Sequence, residues 1–163
     1  DAGQGKTNFL CDFCKNVLIK RNIPSIYLNV NELTKNLSDT VCDHISSLLV
    51  KNCKESLKLF QQYCSASNKY LIICLDGLNE NNNLCNFKNE VLELFRFADR
   101  YDFIKIIATS RNKAYYTYFK DFSSESFGNT ITENIEEYVD RLGRKSDEFK
   151  SKIFSKYRNY FNQ

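Results

Sequence analysis

The run Asp1-Ala2-Gly3-Gln4-Gly5-Lys6-Thr7-Asn8 combines small residues, one cation and one hydroxyl at the head of an apolar-periodic stretch. Small residues let the backbone wrap closely round an anion, so that successive amides donate to it. Phosphate is the anion this spacing suits: Lys6 reaches its outer oxygens and the Thr7 hydroxyl is available to Mg²⁺. A helix beginning near Lys6 points its positive end at the same charge. The second residue with chemistry to offer is Asp76, which ends the apolar run Leu71-Ile72-Ile73-Cys74-Leu75. Buried strands seldom close on an acid without a reason, and a carboxylate here suits the metal opposite Thr7.

These residues need elements to carry them. Phe9, Leu10, Phe13, Cys14, Val17 and Leu18 recur at helical spacing until Arg21-Asn22. After Pro24, residues 25–30 read as a strand. Ser38 is expected to cap a second helix with Val41, Cys42, Ile45, Leu48 and Leu49 as its buried stripe, and a third carries Leu57, Phe60 and Cys64. Residues 70–75 lack polar alternation, as a central parallel strand covered on both faces should. Residues 79–83 read as a loop, Asn86 as the cap of a helix carrying Phe87, Val91, Leu94, Phe95 and Ala98, and residues 103–108 as a further strand. An aromatic-rich irregular stretch over 112–127, a short strand over 129–132, a helix from Thr132 to Leu142 stopped by Gly143, and a last helix from Phe149 to Phe161 complete the expectation.

Alternating strands and amphipathic helices predict an α/β fold with a parallel sheet. In such sheets ligands sit beyond the carboxyl ends of the strands. That rule brings Asp76 and Thr109-Ser110-Arg111 to one edge, beside the opening run.

The bulk chemistry narrows the remaining classes. A chain of 163 residues is the size of one domain, and its 42% hydrophobic and 26% charged content is ordinary for a soluble protein. No apolar run approaches the roughly 20 residues of a membrane helix, no signal-peptide pattern is present, and a cytoplasmic location is expected. A net charge of +3, with both signs interspersed, gives no nucleic-acid stripe. Seven cysteines are scattered except for Cys11 and Cys14, and His44 is the only histidine. Free thiols are therefore expected in place of zinc or a disulfide framework, and His44 is expected at the surface.

Taken in order, three blocks resemble those of NACHT domains, the P-loop ATPase cores of STAND-type switches. The opening run matches the Walker A loop Gly-x-x-x-x-Gly-Lys-Ser/Thr, with the leading glycine falling one position before residue 1. The segment Leu75-Asp76-Gly77-Leu78-Asn79-Glu80 resembles the extended Walker B of that family, and Ile106-Ile107-Ala108-Thr109-Ser110-Arg111 its sensor 1 strand. The resemblance implies a three-layer P-loop sandwich occupying residues 1–142, its first strand missing, with residues 143–163 starting a helical tail. It further implies ATP/ADP with Mg²⁺, held by Asp1, Ala2, Gly3, Gln4, Gly5, Lys6, Thr7 and Asn8, and the metal by Thr7 and Asp76. Glu80 would orient the attacking water and Arg111 would sense the γ-phosphate. Activity would be slow hydrolysis controlling self-oligomerisation of a larger defence or cell-death protein, with fused effector and sensor domains outside this chain.

Two departures matter. Asn79 stands where the family usually has Asp, which predicts slow hydrolysis with binding retained. The absence of a strand before the loop predicts a piece of a longer protein. Two other classes stay open: a conventional P-loop enzyme, such as a nucleotide kinase or AAA+ ATPase, and a nucleotide-binding scaffold without turnover.

Overall fold

Leu71, Ile72, Ile73, Cys74 and Leu75 are all buried, and they form the middle strand of a three-stranded parallel sheet. The computed structural model describes residues 5–120. Three strands, β1 (Ser25–Asn29), β2 (Leu71–Asp76) and β3 (Ile104–Ala108), lie in the order β1-β2-β3. Tyr27 stands opposite Cys74 and Asn29 opposite Asp76 in one ladder; Cys74 faces Ile107 and Leu75 faces Ala108 in the other. Parallel neighbours need crossovers. Helices α2 (Leu37–Leu49) and α3 (Cys53–Ser67) join β1 to β2, and α4 (Leu84–Asp99) joins β2 to β3.

Side chains alternate across the middle strand, so one run of five apolar residues serves two cores. Leu71, Ile73 and Leu75 pack with Val41 and Ile45 of α2, Leu57 of α3, and Phe87, Val91 and Leu94 of α4. Ile72 and Cys74 pack with Leu10 and Leu18, from α1 (Lys6–Phe13) and its continuation over Cys14–Ile19. Burying each large aliphatic chain contributes about 1.5–3 kcal/mol, which is why this strand shows no polar alternation. The architecture is mixed α/β with a parallel sheet.

Local physics moved several boundaries. Asn36, not Ser38, caps α2: its Oδ1 accepts the Asp39 N–H at 2.8 Å. The earlier start brings Leu37 into the core, with its N–H donating to Glu90 at 2.9 Å. Asn83, not Asn86, caps α4, and accepts the Asn86 N–H on its side chain. Asn52 caps α3 in the same way through the Glu55 N–H. In α2 the expected stripe is narrower, since Leu48 is exposed and Cys42 and Leu49 are only half-buried. Strand β1 ends one residue early, because Val30 enters a 3₁₀ turn, Val30–Glu32, held by the Asn29 side chain.

Strand β2 starts at Leu71 and takes in Asp76, and β3 starts at Ile104. The second half of the first helix widens to π geometry from Cys14 to Ile19. Within the stretch expected to be a loop, Leu78–Glu80 forms a 3₁₀ turn. The stretch expected to be irregular begins with a short helical turn, α5 (Asn112–Ala114), continuing in π geometry over Tyr115–Phe119, and Phe119 is buried. All described residues belong to one compact unit, Asp1–Gly128. The expected strand over 129–132, the helices carrying Ile135 and Phe149, and the boundary after Leu142 lie outside the described residues.

Candidate functional site

Gly5 occupies the left-handed region, φ 71°, immediately before α1. A side chain is disfavoured there, so glycine at this point has a backbone reason. Its carbonyl accepts the Phe9 N–H at 2.7 Å, the first helical bond. The N–H groups of the first turn therefore have no acceptor within the helix, and point towards whatever lies ahead of it. Lys6 is half-buried and Thr7 and Asn8 are exposed in that turn. Lys6 has no carboxylate partner among the described residues. Asp1, Ala2, Gly3 and Gln4 lie outside them.

The direction of α1 follows from its connection to the sheet. After Ile19 only residues 20–24 separate the helix from Ser25, and the Ile23 N–H closes the turn on the Leu18 carbonyl at 2.8 Å. The helix thus ends where the strands begin and starts where they finish. A second observation agrees: the Cys11 thiol meets the Tyr27 phenol, which in turn donates to Asp76. Thr7 lies on the same helix face as Cys11, one turn nearer the amino end and about 6 Å along the axis.

Asp76 itself lies on the α1 side of β2, like Ile72 and Cys74, because the side-chain period of a strand is two. It is only 4% exposed, and both carboxylate oxygens are engaged. Oδ2 accepts the Tyr27 hydroxyl at 3.0 Å, and Oδ1 accepts the Thr109 hydroxyl at 2.6 Å. Thr109 is itself 8% exposed, and its oxygen accepts the Gly77 N–H at 2.9 Å. The three strands thus meet in one chain of bonds, Gly77 to Thr109 to Asp76 to Tyr27. Burial first, then the Cys11 and Asp76 side chains, hold the Tyr27 phenol protonated well above the usual tyrosine range. Every donor to Asp76 is neutral, and no lysine or arginine is paired with it among the described residues.

The loops after β2 and β3 are stitched together just beyond this point. The Leu78 N–H donates to the Thr109 carbonyl at 2.8 Å, and the Arg111 N–H to Asn79 Oδ1 at 2.8 Å. Asn79, the departure noted in the sequence, is thus the acceptor that ties one loop to the other. Gly77 is again left-handed, φ 75°, which lets Glu80 fold back across it; a Cβ at Gly77 would stand 2.9 Å from Glu80 Cδ. Glu80 is therefore beside the end of β2, while the residue remains exposed. Arg111 is exposed, and it lines an open groove of about 290 Å³ with Asn79, Lys113, Thr117 and Tyr118.

The structure therefore gathers Asp76, Thr109, Asn79 and Glu80 at the carboxyl edge of the sheet, with the start of α1 at the same edge. Arg111 joins them through its backbone, while its guanidinium faces the groove. One participant, Tyr27, was missed as a site residue by sequence reasoning. Its signal was present in the register: Tyr27 is on the same face as Asp76 and one step along the neighbouring strand, a diagonal within reach of a long side chain.

Among the described residues no group of three His, Cys, Asp or Glu side chains is arranged to hold a metal. A cation at this edge would rest on Asp76, a hydroxyl and ligand oxygens, the sparse protein ligation that suits Mg²⁺. The cysteines are free thiols, with Cys14 and Cys74 3.5 Å apart and Cys42 and Cys53 2.8 Å apart, and His44 is exposed. Among the described residues no helix is long and apolar enough to cross a membrane. Comparison with protein-family models, curated proteins and solved structures found no match to this chain.

Proposed function

We propose that this chain is the nucleotide-binding core of a NACHT-like, STAND-class switch that takes ATP or ADP with Mg²⁺ and hydrolyses ATP slowly. The observation that carries the reading is Asp76, a buried carboxylate at the end of the central strand with only neutral donors among the described residues. Burying a carboxylate without a counter-charge is costly, and a cation bound beside it would offset that cost. The start of α1 at the same edge supplies what the other side needs: free amides, the Lys6 ammonium and the Thr7 hydroxyl.

Each residue then has a definite task. Gly5, with Gly3 and the rest of the opening run, wraps the phosphates, and Lys6 neutralises their outer oxygens. Thr7 and Asp76 hold the metal, which when bound neutralises charge building up on the transferred phosphoryl group. Glu80 orients water, its position set by the left-handed Gly77. Arg111 offers a cation from the next loop. Asn79 contributes no charge and serves the loop-to-loop contact, consistent with slow turnover. A P-loop sandwich, self-oligomerisation, fused effector and sensor domains and a cytoplasmic location belong to the same proposal.

Nucleotide binding and phosphate release by the full-length protein test it. Lys6→Ala is expected to weaken ATP binding roughly 10- to 100-fold, the worth of a charge-assisted contact. Glu80→Ala is expected to leave binding intact and lower phosphate release about 100-fold. Tight binding with no turnover in the unmodified protein would favour the scaffold. Efficient transfer to a small acceptor would favour a kinase, and binding indifferent to Lys6 would sink the nucleotide reading.

A further inference from the structure

We propose that Tyr27 is a positioning residue for the metal-side carboxylate, and that its phenol sets how strongly nucleotide binding depends on magnesium. The inference rests on the nucleotide-switch reading and names a determinant within that site.

A strand-end aspartate is not positioned by its strand alone. Two torsions separate its carboxylate from the backbone, so burial of β2 alone does not fix the oxygens. Here they are fixed from both sides. Thr109, just beyond β3, holds Oδ1 at 2.6 Å, and Tyr27, within β1, holds Oδ2 at 3.0 Å. Because one donor lies in β1 and the other follows directly on β3, the carboxylate plane is set from both sides of β2. Both donors are uncharged. A lysine or arginine would orient Asp76 as firmly but would cancel its charge; a phenol and an alcohol orient it and leave the charge whole. Each carboxylate oxygen accepts about two hydrogen bonds, so one position on each remains for a cation or its waters.

Tyr27 is also well placed to hold still. Its half-buried ring packs against the core between α1 and the sheet, and its hydroxyl is met by Cys11 from α1. The phenol is thereby bracketed between the helix whose first turn carries Lys6 and Thr7 and the strand that carries Asp76. Phenylalanine would fill the same volume and remove only the donor, which makes Tyr27→Phe a clean probe.

The test is a titration of Mg²⁺ against ATP affinity in the full-length protein, with affinity also measured in EDTA. For Tyr27→Phe the EDTA affinity is expected to match the unmodified protein, while the half-saturating Mg²⁺ concentration rises about 3- to 10-fold, the range of one modest hydrogen bond. Asp76→Asn gives the limit, with little magnesium dependence left. An unchanged or lower half-saturating concentration in Tyr27→Phe overturns the proposal. So does equal loss of binding with and without magnesium, which would make Tyr27 a fold residue only. Lys6→Ala in the same assay separates the two levels: if it binds ATP like the unmodified protein, the nucleotide reading falls and this inference with it. If Lys6→Ala fails to bind while Tyr27→Phe titrates normally, only the inference falls.

Discussion

Thr109 shows how much one hydroxyl can carry. It donates to the buried Asp76 carboxylate and accepts the buried Gly77 N–H, so its loss strands groups on both sides. Thr109→Val keeps the shape and removes both bonds, and should destabilise the protein by about 2–4 kcal/mol, most of it the cost of unpaired buried groups. Thr109→Ser should recover more than half of that. Urea melts of the two variants decide the matter, and equal stability of Val and Thr would show that the network carries no weight. At this scale the sequence was informative about types and less so about partners. Asp76 announced itself as an acid closing an apolar run, and Thr109 lay in a recognisable block. Tyr27 did not, because its role depends on a register that pairs residues 47 apart in sequence, and no local pattern encodes that.

Helix ends tell a parallel story at the scale of elements. Three helices, α2, α3 and α4, are each entered through an asparagine whose side chain accepts the N–H three residues on. The helices themselves were legible from their apolar spacing, but the caps of α2 and α4 were expected about one turn or less too late. The runs around Asn36 and Asn83 contain several residues that can cap, and burial chose among them: starting at Leu37 adds a fully buried leucine to the core. The geometry also ranks the caps. Asn36 bonds at 2.8 Å and Asn52 at 2.9 Å from extended backbone, whereas Asn83 reaches 3.4 Å and departs from that conformation. Asn36→Ala and Asn52→Ala should therefore each cost about 1 kcal/mol, and Asn83→Ala clearly less. A shared value for all three in denaturant melts would contradict this ranking.

For the molecule as a whole, the parallel α/β class and the crowding of polar residues at one sheet edge followed from the order of apolar segments. The division of labour between two cores did not, since alternation is invisible in a strand that is apolar on both faces. A consequence of that tight packing is a characteristic response to alkali. Burial pushes the Cys53 thiol, first by desolvation and then through Cys42, up to about 12, and it also raises Cys74 and Tyr27. These groups are neutral when protonated, and folding favours that form. Their contribution is complete below the ordinary thiol value of 9.0 and is lost as pH climbs beyond it. The melting temperature should accordingly fall steadily from about pH 9 upward, and Cys53→Ala should soften the fall. A midpoint that is level to pH 11 would contradict this.

The central strand has one more implication. β2 is paired along both edges and buried along its whole length, so it is the element with least room to shift, whereas β3 is more exposed. Asp76 is the tip of that strand. In mechanical language it is the stator of this edge: the carboxylate is the fixed mark against which any displacement of the helix start or the loops would be registered.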